Sequence, residues 1–179
     1  MKKADGYFLA VSSLNYRKNF VVVLQAFDKF CEHSSEGNLL IVGDLQCDSF
    51  NGVDISSYKQ NSRIKFLGRV SDEELINYYR NAVCFIFPSL YEGFGIPVIE
   101  AQACGCPVIS SNSSSLHEVL GESAIMCNSS DIEGFANAMK SIYEDDTLRN
   151  TIISKGFENT KRFSWEKSAK KIENLLINI

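Results

Sequence analysis

The stretch Pro88-Ser89-Leu90-Tyr91-Glu92-Gly93-Phe94-Gly95-Ile96-Pro97-Val98-Ile99-Glu100-Ala101 combines two carboxylates, a Gly-x-Gly turn and a proline suited to a helix start. Gly93 and Gly95 let backbone approach a ligand closely, because neither carries a Cβ. Pro97 fits the first turn of a helix, where its missing N–H costs nothing. A helix beginning near Ile96 directs free N–H groups and a positive dipole end outward, which suits a diphosphate. Glu92 precedes the turn and Glu100 follows, with seven residues between them. An ionised carboxylate accepts several hydrogen bonds and can take the diol of a ribose or a hexose. By spacing alone, two solvated glutamates around a structural turn account for the pattern equally well.

A second candidate is Ser12-Ser13-Leu14-Asn15-Tyr16-Arg17-Lys18-Asn19. Arg17 and Lys18 are adjacent cations at a strand-to-helix junction, able to stabilise a diphosphate leaving group, the lysine as a point charge and the arginine as a planar fork. Residue types alone favour a solvated basic pair. Two further loops follow apolar runs: Gly68-Arg69-Val70 after Ile64 to Leu67, and Gly43-Asp44-Leu45 after Leu39 to Val42.

The elements that must carry these loops are short, β-branched or aromatic runs spaced by helical patterns, as in repeated βα units around a parallel sheet. Strands are expected at Tyr7 to Val11, Leu39 to Val42, Ile64 to Leu67, Val83 to Phe87, Pro107 to Ser110 and Ala124 to Met126. Each is nearly continuously apolar, as a strand covered on both faces should be. Helices are expected at Phe20 to Phe30, after Ser71-Asp72-Glu73-Glu74, which reads as a capping box, and then at Ile132 to Tyr143, Asp146 to Lys161 and Ser164 to Leu176. The last three close the domain. The expected fold is a Rossmann-like, doubly wound α/β domain of about six parallel strands, in which ligands gather beyond the carboxyl ends of the strands. No repeat or linker divides residues 1–179.

The run E-G-F-G-I-P-V-I-E-A-x-A-C-G-C-P-V-I from Glu92 to Ile109 resembles the E-x7-E region of glycosyltransferase family 4, whose members have the two-domain GT-B fold. The resemblance extends from about Tyr7 to Leu176 and corresponds to the carboxyl-terminal, donor-binding domain alone. It implies that Glu92 lies against the donor sugar, that Gly93, Phe94, Gly95 and Ile96 contact sugar and phosphate through backbone, and that Glu100 holds the ribose. Residues 12–19 are similar to the family's G-R-L-x-x-x-K-G, which places Lys18 on the diphosphate. Ser13 stands where the family has arginine, and Arg17 is the substitute, as in a subgroup that reads R-K-N. Val70 and its turn resemble the segment whose backbone edges the nucleobase. Leu45 replaces the second glycine of the family's I-V-G-x-G. The implied activity is retaining transfer of a hexose from a nucleoside-diphosphate sugar to a glycan or lipid-linked acceptor, with Glu92 and Lys18 in the catalytic roles. The partner is an amino-terminal GT-B domain in the same or another chain, which would supply the acceptor pocket and any peripheral membrane association. This chain by itself is expected to be inactive. A stand-alone nucleotide-binding or regulatory module is the alternative.

Composition bounds these readings. A chain of 179 residues, 45% hydrophobic, has the size of one ordinary domain. Its net charge of -4 supplies no global field to recruit nucleic acid. The apolar run after Gly6 is too short for a signal-peptide core, and six scattered cysteines without a C-x-x-C pair read as reduced thiols, so a cytoplasmic location is expected. No cofactor or metal is expected: the sequence shows no D-x-D-like carboxylate cluster, and neither His33 nor His117 has a metal-ligand partner at useful spacing. An NAD-type reading is weak, since no G-x-G-x-x-G follows the first strand. Cys104-Gly105-Cys106 reads as tight packing, and Trp165 as a packing anchor.

Overall fold

The computed structural model describes residues 6–11, 16–43, 49–50 and 53–177, with the side chains of residues 49–50 and 53–54 left aside. Six parallel strands form one sheet: β1 (Tyr7–Val11), β2 (Asn38–Val42), β5 (Ile64–Gly68), β6 (Cys84–Phe87), β7 (Val108–Ser111) and β8 (Ile125–Cys127). Their order is β5-β2-β1-β6-β7-β8. The chain therefore builds outward from β1 in one direction, returns to its other side at β6, and builds outward again. That is the doubly wound arrangement, and its crevice opens beyond the carboxyl ends of β1 and β6.

Alternation along each strand feeds two cores, because successive side chains point to opposite faces. Phe8, Ala10, Leu39, Ile41, Cys84 and Ile86 join one buried cluster, which α1 (Phe20–His33) and α6 (Ile132–Glu144) cover. Leu9, Leu40, Val42, Phe85, Phe87 and Val108 join the other, beneath α3 (Asp72–Asn81), α4 (Ile96–Ala103) and α5 (Leu116–Leu120). Continuous apolar runs are thus what two-faced burial demands. β7 departs from this at its end, where Ser110 and Ser111 are fully buried.

Helix starts obey local chemistry. The Ser71 side chain accepts from the Glu74 N–H while Glu74 reaches back to the Ser71 N–H at 2.8 Å, completing the capping box. Asp145 opens α7 (Asp146–Thr160) by accepting from the Thr147 and Leu148 amides. A buried polar knot seats α7 on α4: Gln102 Nε2 donates to Ser123 Oγ at 2.7 Å, Asn159 Nδ2 donates to Gln102 Oε1 at 2.8 Å, and Arg162 Nη1 donates to Asn159 Oδ1 at 2.8 Å. Each amide has partners, so the cost of burying it is offset. Gly105, at φ 75°, would press an added Cβ to 3.0 Å from the Phe157 ring, and Cys106 is buried, which is the tight packing expected of this turn. The five described cysteines are free; Cys47 lies outside the described residues.

Five short elements were not expected. They are a 3-10 turn at Tyr16–Lys18, a two-stranded antiparallel pair of β3 (Ser49–Phe50) with β4 (Val53–Asp54), α2 (Ser56–Gln60) and α5. All are too short to establish a hydrophobic period. The last helix corrects an expectation. α8 (Trp165–Ile177) buries none of its residues, and Trp165 is 84% exposed, so this helix does not close the core and the tryptophan anchors nothing here. Among the described residues, no helix is long and apolar enough to cross a membrane.

Because α8 contributes no buried side chain, a chain ending at Ser164 is expected to keep its stability within about 0.5 kcal/mol of the full chain. Urea unfolding of both, followed by circular dichroism, measures this; a larger loss would mean that α8 is part of the folding unit.

Candidate functional site

Three strand-end loops meet at the crevice. The 3-10 turn after β1 presents Arg17 and Lys18, and α1 begins immediately beyond it. The loop after β6 carries Glu92, and the loop after β7 carries Ser114 and Ser115. Direct bonds join them. The Leu90 N–H donates to the Arg17 carbonyl at 2.7 Å, and Asn19 Nδ2 donates to the carbonyls of Pro88 at 3.2 Å and Ser129 at 2.6 Å. Ser110 Oγ donates to the Phe87 carbonyl at 3.2 Å, and Ser111 Oγ to that of Ser89. The serines ending β7 therefore bracket the end of β6 and the start of the loop that follows it. Ser89 Oγ itself is buried without a hydrogen-bond partner among the described residues.

This framework brings Lys18 Nζ to 2.6 Å from Glu92 Oε1, with side chains only 21% and 13% exposed. The ammonium also stands 4.9 Å from the centroid of Phe87. A charge-assisted bond of this length, sheltered from water, fixes both groups more firmly than an exposed pair would. Glu92 is held by its backbone too, since its N–H donates to Ser114 Oγ at 2.9 Å and its carbonyl accepts from Ser115 Oγ at 2.9 Å.

Beyond Glu92 the chain enters α4. Gly95 is the helix N-cap, at φ 93° and ψ 50°, and, having no side chain, it supplies no side-chain cap of its own. A Cβ at Gly95 would lie 2.7 Å from Leu116 Cδ2, whereas one at Gly93 would meet nothing within 4 Å. One glycine is required by backbone and packing, and the other borders open space. Phe94 and Ile96 are exposed, and the Phe94 ring meets Phe163 edge to face at 5.2 Å. Glu100 lines a groove of about 710 Å³ with Phe94, Ile96, Phe163 and Trp165. Partial withdrawal of the Glu100 carboxylate from water, and then the negative charge of Asp72, raise its pKa above the ordinary glutamate value.

Lys18 and Glu92, far apart in sequence, are in contact, and Glu100 projects from α4 into the adjoining groove. Val70 is half-buried against the second core at the entry to α3, while Arg69 and Arg17 are exposed. Ser13 and Leu45 lie outside the described residues. His33 and His117 are exposed. Among the described residues, no cluster of three or more His, Cys, Asp or Glu is placed to hold a metal ion. The reading from residue types overlooked Asn19, Ser114 and Ser115. The serine run is visible at Ser113 to Ser115, but nothing in it points to Glu92.

Comparison with known proteins follows the same lines. The profile of the family described as "Glycosyl transferases group 1" matches residues 1–159. The chain is 32% identical to O-antigen chain mannosyltransferase B of Escherichia coli over 164 residues, which are 90% of this chain and 43% of that protein. It is also 32% identical to O-antigen chain mannosyltransferase RfbU of Salmonella typhimurium, over 90% of this chain and 46% of that one. Among solved structures, sucrose-phosphate synthase from Thermosynechococcus elongatus superposes with a TM-score of 0.84 at 28% identity, covering 99% of this chain and 46% of that one. Anabaena Alr3699/HepE, solved in complex with UDP and glucose, gives a TM-score of 0.82 at 21% identity, a likeness of fold, over 98% of this chain and 49% of that one. The chain thus spans about half the length of these relatives.

Gly95→Ala places a Cβ where φ is 93° and where Leu116 already stands. A loss of about 1–3 kcal/mol is expected, and Gly93→Ala should lose far less. Urea unfolding of the two variants checks the difference, and equal losses would contradict the assigned roles.

Proposed function

The chain belongs to the group 1 glycosyl transferases, and on that premise we propose that it is the donor-binding half of a retaining hexosyltransferase acting with a nucleoside-diphosphate sugar. The observation that carries this reading is the sheltered contact of Lys18 with Glu92 beside the start of α4, in the crevice between β1 and β6. Lys18, Arg17 and the α4 start would take the diphosphate, Glu92 a hexose hydroxyl, Glu100 the ribose, and backbone at Gly93 to Ile96 the sugar and phosphate. The turn at Val70 would edge the base.

In the free chain, Lys18 and Glu92 neutralise each other. Donor entry exchanges that bond for two others: phosphate oxygen to Lys18 Nζ, and sugar hydroxyl to the Glu92 carboxylate. The exchange limits the loss on desolvating either charge, and the two groups are already in position. In the transfer, the bond between the anomeric carbon and the diphosphate oxygen breaks, and the acceptor oxygen bonds to that carbon on the same face. The acceptor's proton passes to the departing diphosphate, whose developing charge Lys18 and the helix start stabilise. This scheme calls for no metal. The acceptor pocket falls to the half that the longer relatives have, and the exposed face of α8 is available to meet it. A glycan or lipid-linked acceptor accords with the O-antigen names of two relatives.

Calorimetric titration of the chain with UDP-, GDP- and ADP-sugars and the free diphosphates is the primary test; no binding to any at millimolar ligand removes the proposal. Lys18→Ala should weaken the diphosphate about tenfold or more, and the bare nucleoside little, because one charge-assisted bond contributes roughly 1.5–3 kcal/mol. Glu92→Gln should weaken only the sugar conjugate, and Glu100→Gln the conjugate and free diphosphate alike. Equal losses of free diphosphate in both glutamate variants would refute the division into sugar and ribose ends.

Acidification gives a further check. Ribose hydroxyls donate to the ionised Glu100, so a proton there competes with the ligand, and the raised pKa brings that competition on at higher pH than an ordinary glutamate would. Affinity for the diphosphate should fall as pH drops into that range, and Glu100→Gln should remove this component. An unchanged pH profile in Glu100→Gln would place the carboxylate outside the site.

A further inference from the structure

Two non-glycine residues have positive φ among the described residues, Asn19 and Ser114, each at 50°. This left-handed backbone costs a side-chain-bearing residue about 1 kcal/mol or more, and persists only where surrounding contacts enforce it. Both residues grip the same loop. Asn19 holds its beginning through the Pro88 carbonyl. Ser114 holds its end, its hydroxyl accepting from the Glu92 N–H at 2.9 Å and lying 3.1 Å from the Glu92 carbonyl, which also accepts from Ser115 Oγ at 2.9 Å.

We infer that Ser114 is a positioning residue for Glu92: its left-handed backbone aims the hydroxyl at both peptide groups of Glu92 and so sets the carboxylate against Lys18, ready for the donor's sugar. The inference rests on the donor-site reading given above. Its logic is geometric. The Glu92 residue lies on a surface loop with an open side at Gly93, where no helix or strand ladder holds the backbone. Without a hydroxyl at position 114, the Glu92 N–H loses its partner, and the residue is left with the Ser115 bond to its carbonyl and the Lys18 contact with its carboxylate. Donor entry then competes for the Lys18 contact and leaves Glu92 more loosely guided when the hexose arrives. The clamp therefore matters most for the sugar end and little for the diphosphate end, which meets Lys18 and α4. The same loop is anchored upstream by Asn19 and by Leu90 N–H on the Arg17 carbonyl, so a change at Ser114 leaves the earlier residues in place.

The test compares Ser114→Gly and Ser114→Ala in the whole chain. Both remove the hydroxyl, but glycine adopts positive φ freely and alanine does not, so thermal stability should rank glycine above alanine. Positioning requires the binding defect to ignore that ranking. Both variants should lose affinity for the nucleoside-diphosphate sugar by roughly three- to tenfold, as expected for one or two hydrogen bonds, with free nucleoside diphosphate nearly unchanged. The amide of Glu92 should exchange with deuterium faster in both variants, and that of Leu90 should not. Losses that follow stability, losses equal for both ligands, or an unaltered Glu92 amide overturn the inference. Failure of the wild-type chain to bind either ligand overturns the donor reading and the sugar role with it, and faster Glu92 exchange in the variants would then leave Ser114 as a clamp on the loop only.

Discussion

β1 and β6 are neighbours in the sheet although α1, β2, β5 and α3 intervene in the chain, and every feature of the crevice depends on that pairing. A right-handed crossover can lead outward from β1 on one side only until the chain returns to the other side of β1. At the point of return, the loops after β1 and β6 diverge to opposite faces of the sheet and leave a gap between them. The Leu90 amide and the Asn19 side chain bridge the floor of that gap, and Lys18 meets Glu92 above it. The two cores on either side of the sheet make the floor rigid, since Phe8, Leu9, Phe85 and Ile86 are all essentially without solvent contact.

Rigidity below and polarity above are joined by the end of β7. Ser110 and Ser111 stand in a strand that is otherwise covered on both faces, where an unpaired hydroxyl would be costly. Ser110 is satisfied by the carbonyl of Phe87 at the end of β6 and Ser111 by that of Ser89 in the loop beyond it, so the pair converts a core strand into a support for the start of a surface loop. On the far side, Gln102, Asn159 and Arg162 hold α4 against α7, and this fixes the direction in which the α4 start points. The site is thus held from beneath by hydroxyls and from behind by an amide network, while its upper side remains open.

That opening fits a chain spanning about half the length of its relatives. Trp165, Ile172, Leu175 and Leu176 on α8 are all more than half exposed, and Trp165 lines the groove of Glu100 together with the exposed Phe94 and Ile96. Under the proposed function, these exposed apolar side chains are the surface that the acceptor half would cover.

The sequence by itself determined the sheet and most of its helices, because two-faced burial needs continuous apolar runs and helices need a 3.6-residue period, and both are local patterns. The six strands of the parallel sheet fall within a residue or so of their expected bounds, and the Ser71 capping box and the Pro97 helix start are where side-chain chemistry puts them. Residue types also singled out Lys18, Glu92 and Glu100, although the resemblance to a family, and not their spacing, supplied their roles. Tertiary structure decided the rest. That Lys18 contacts Glu92, that Glu100 looks into a separate groove with a raised pKa, and that Ser114 holds Glu92 all depend on which strand ends become neighbours, and no window of sequence contains that information. The exposure of Trp165 is the same lesson in reverse: an amphipathic pattern says that a helix has a face to bury, while only the assembled domain says whether anything in this chain buries it.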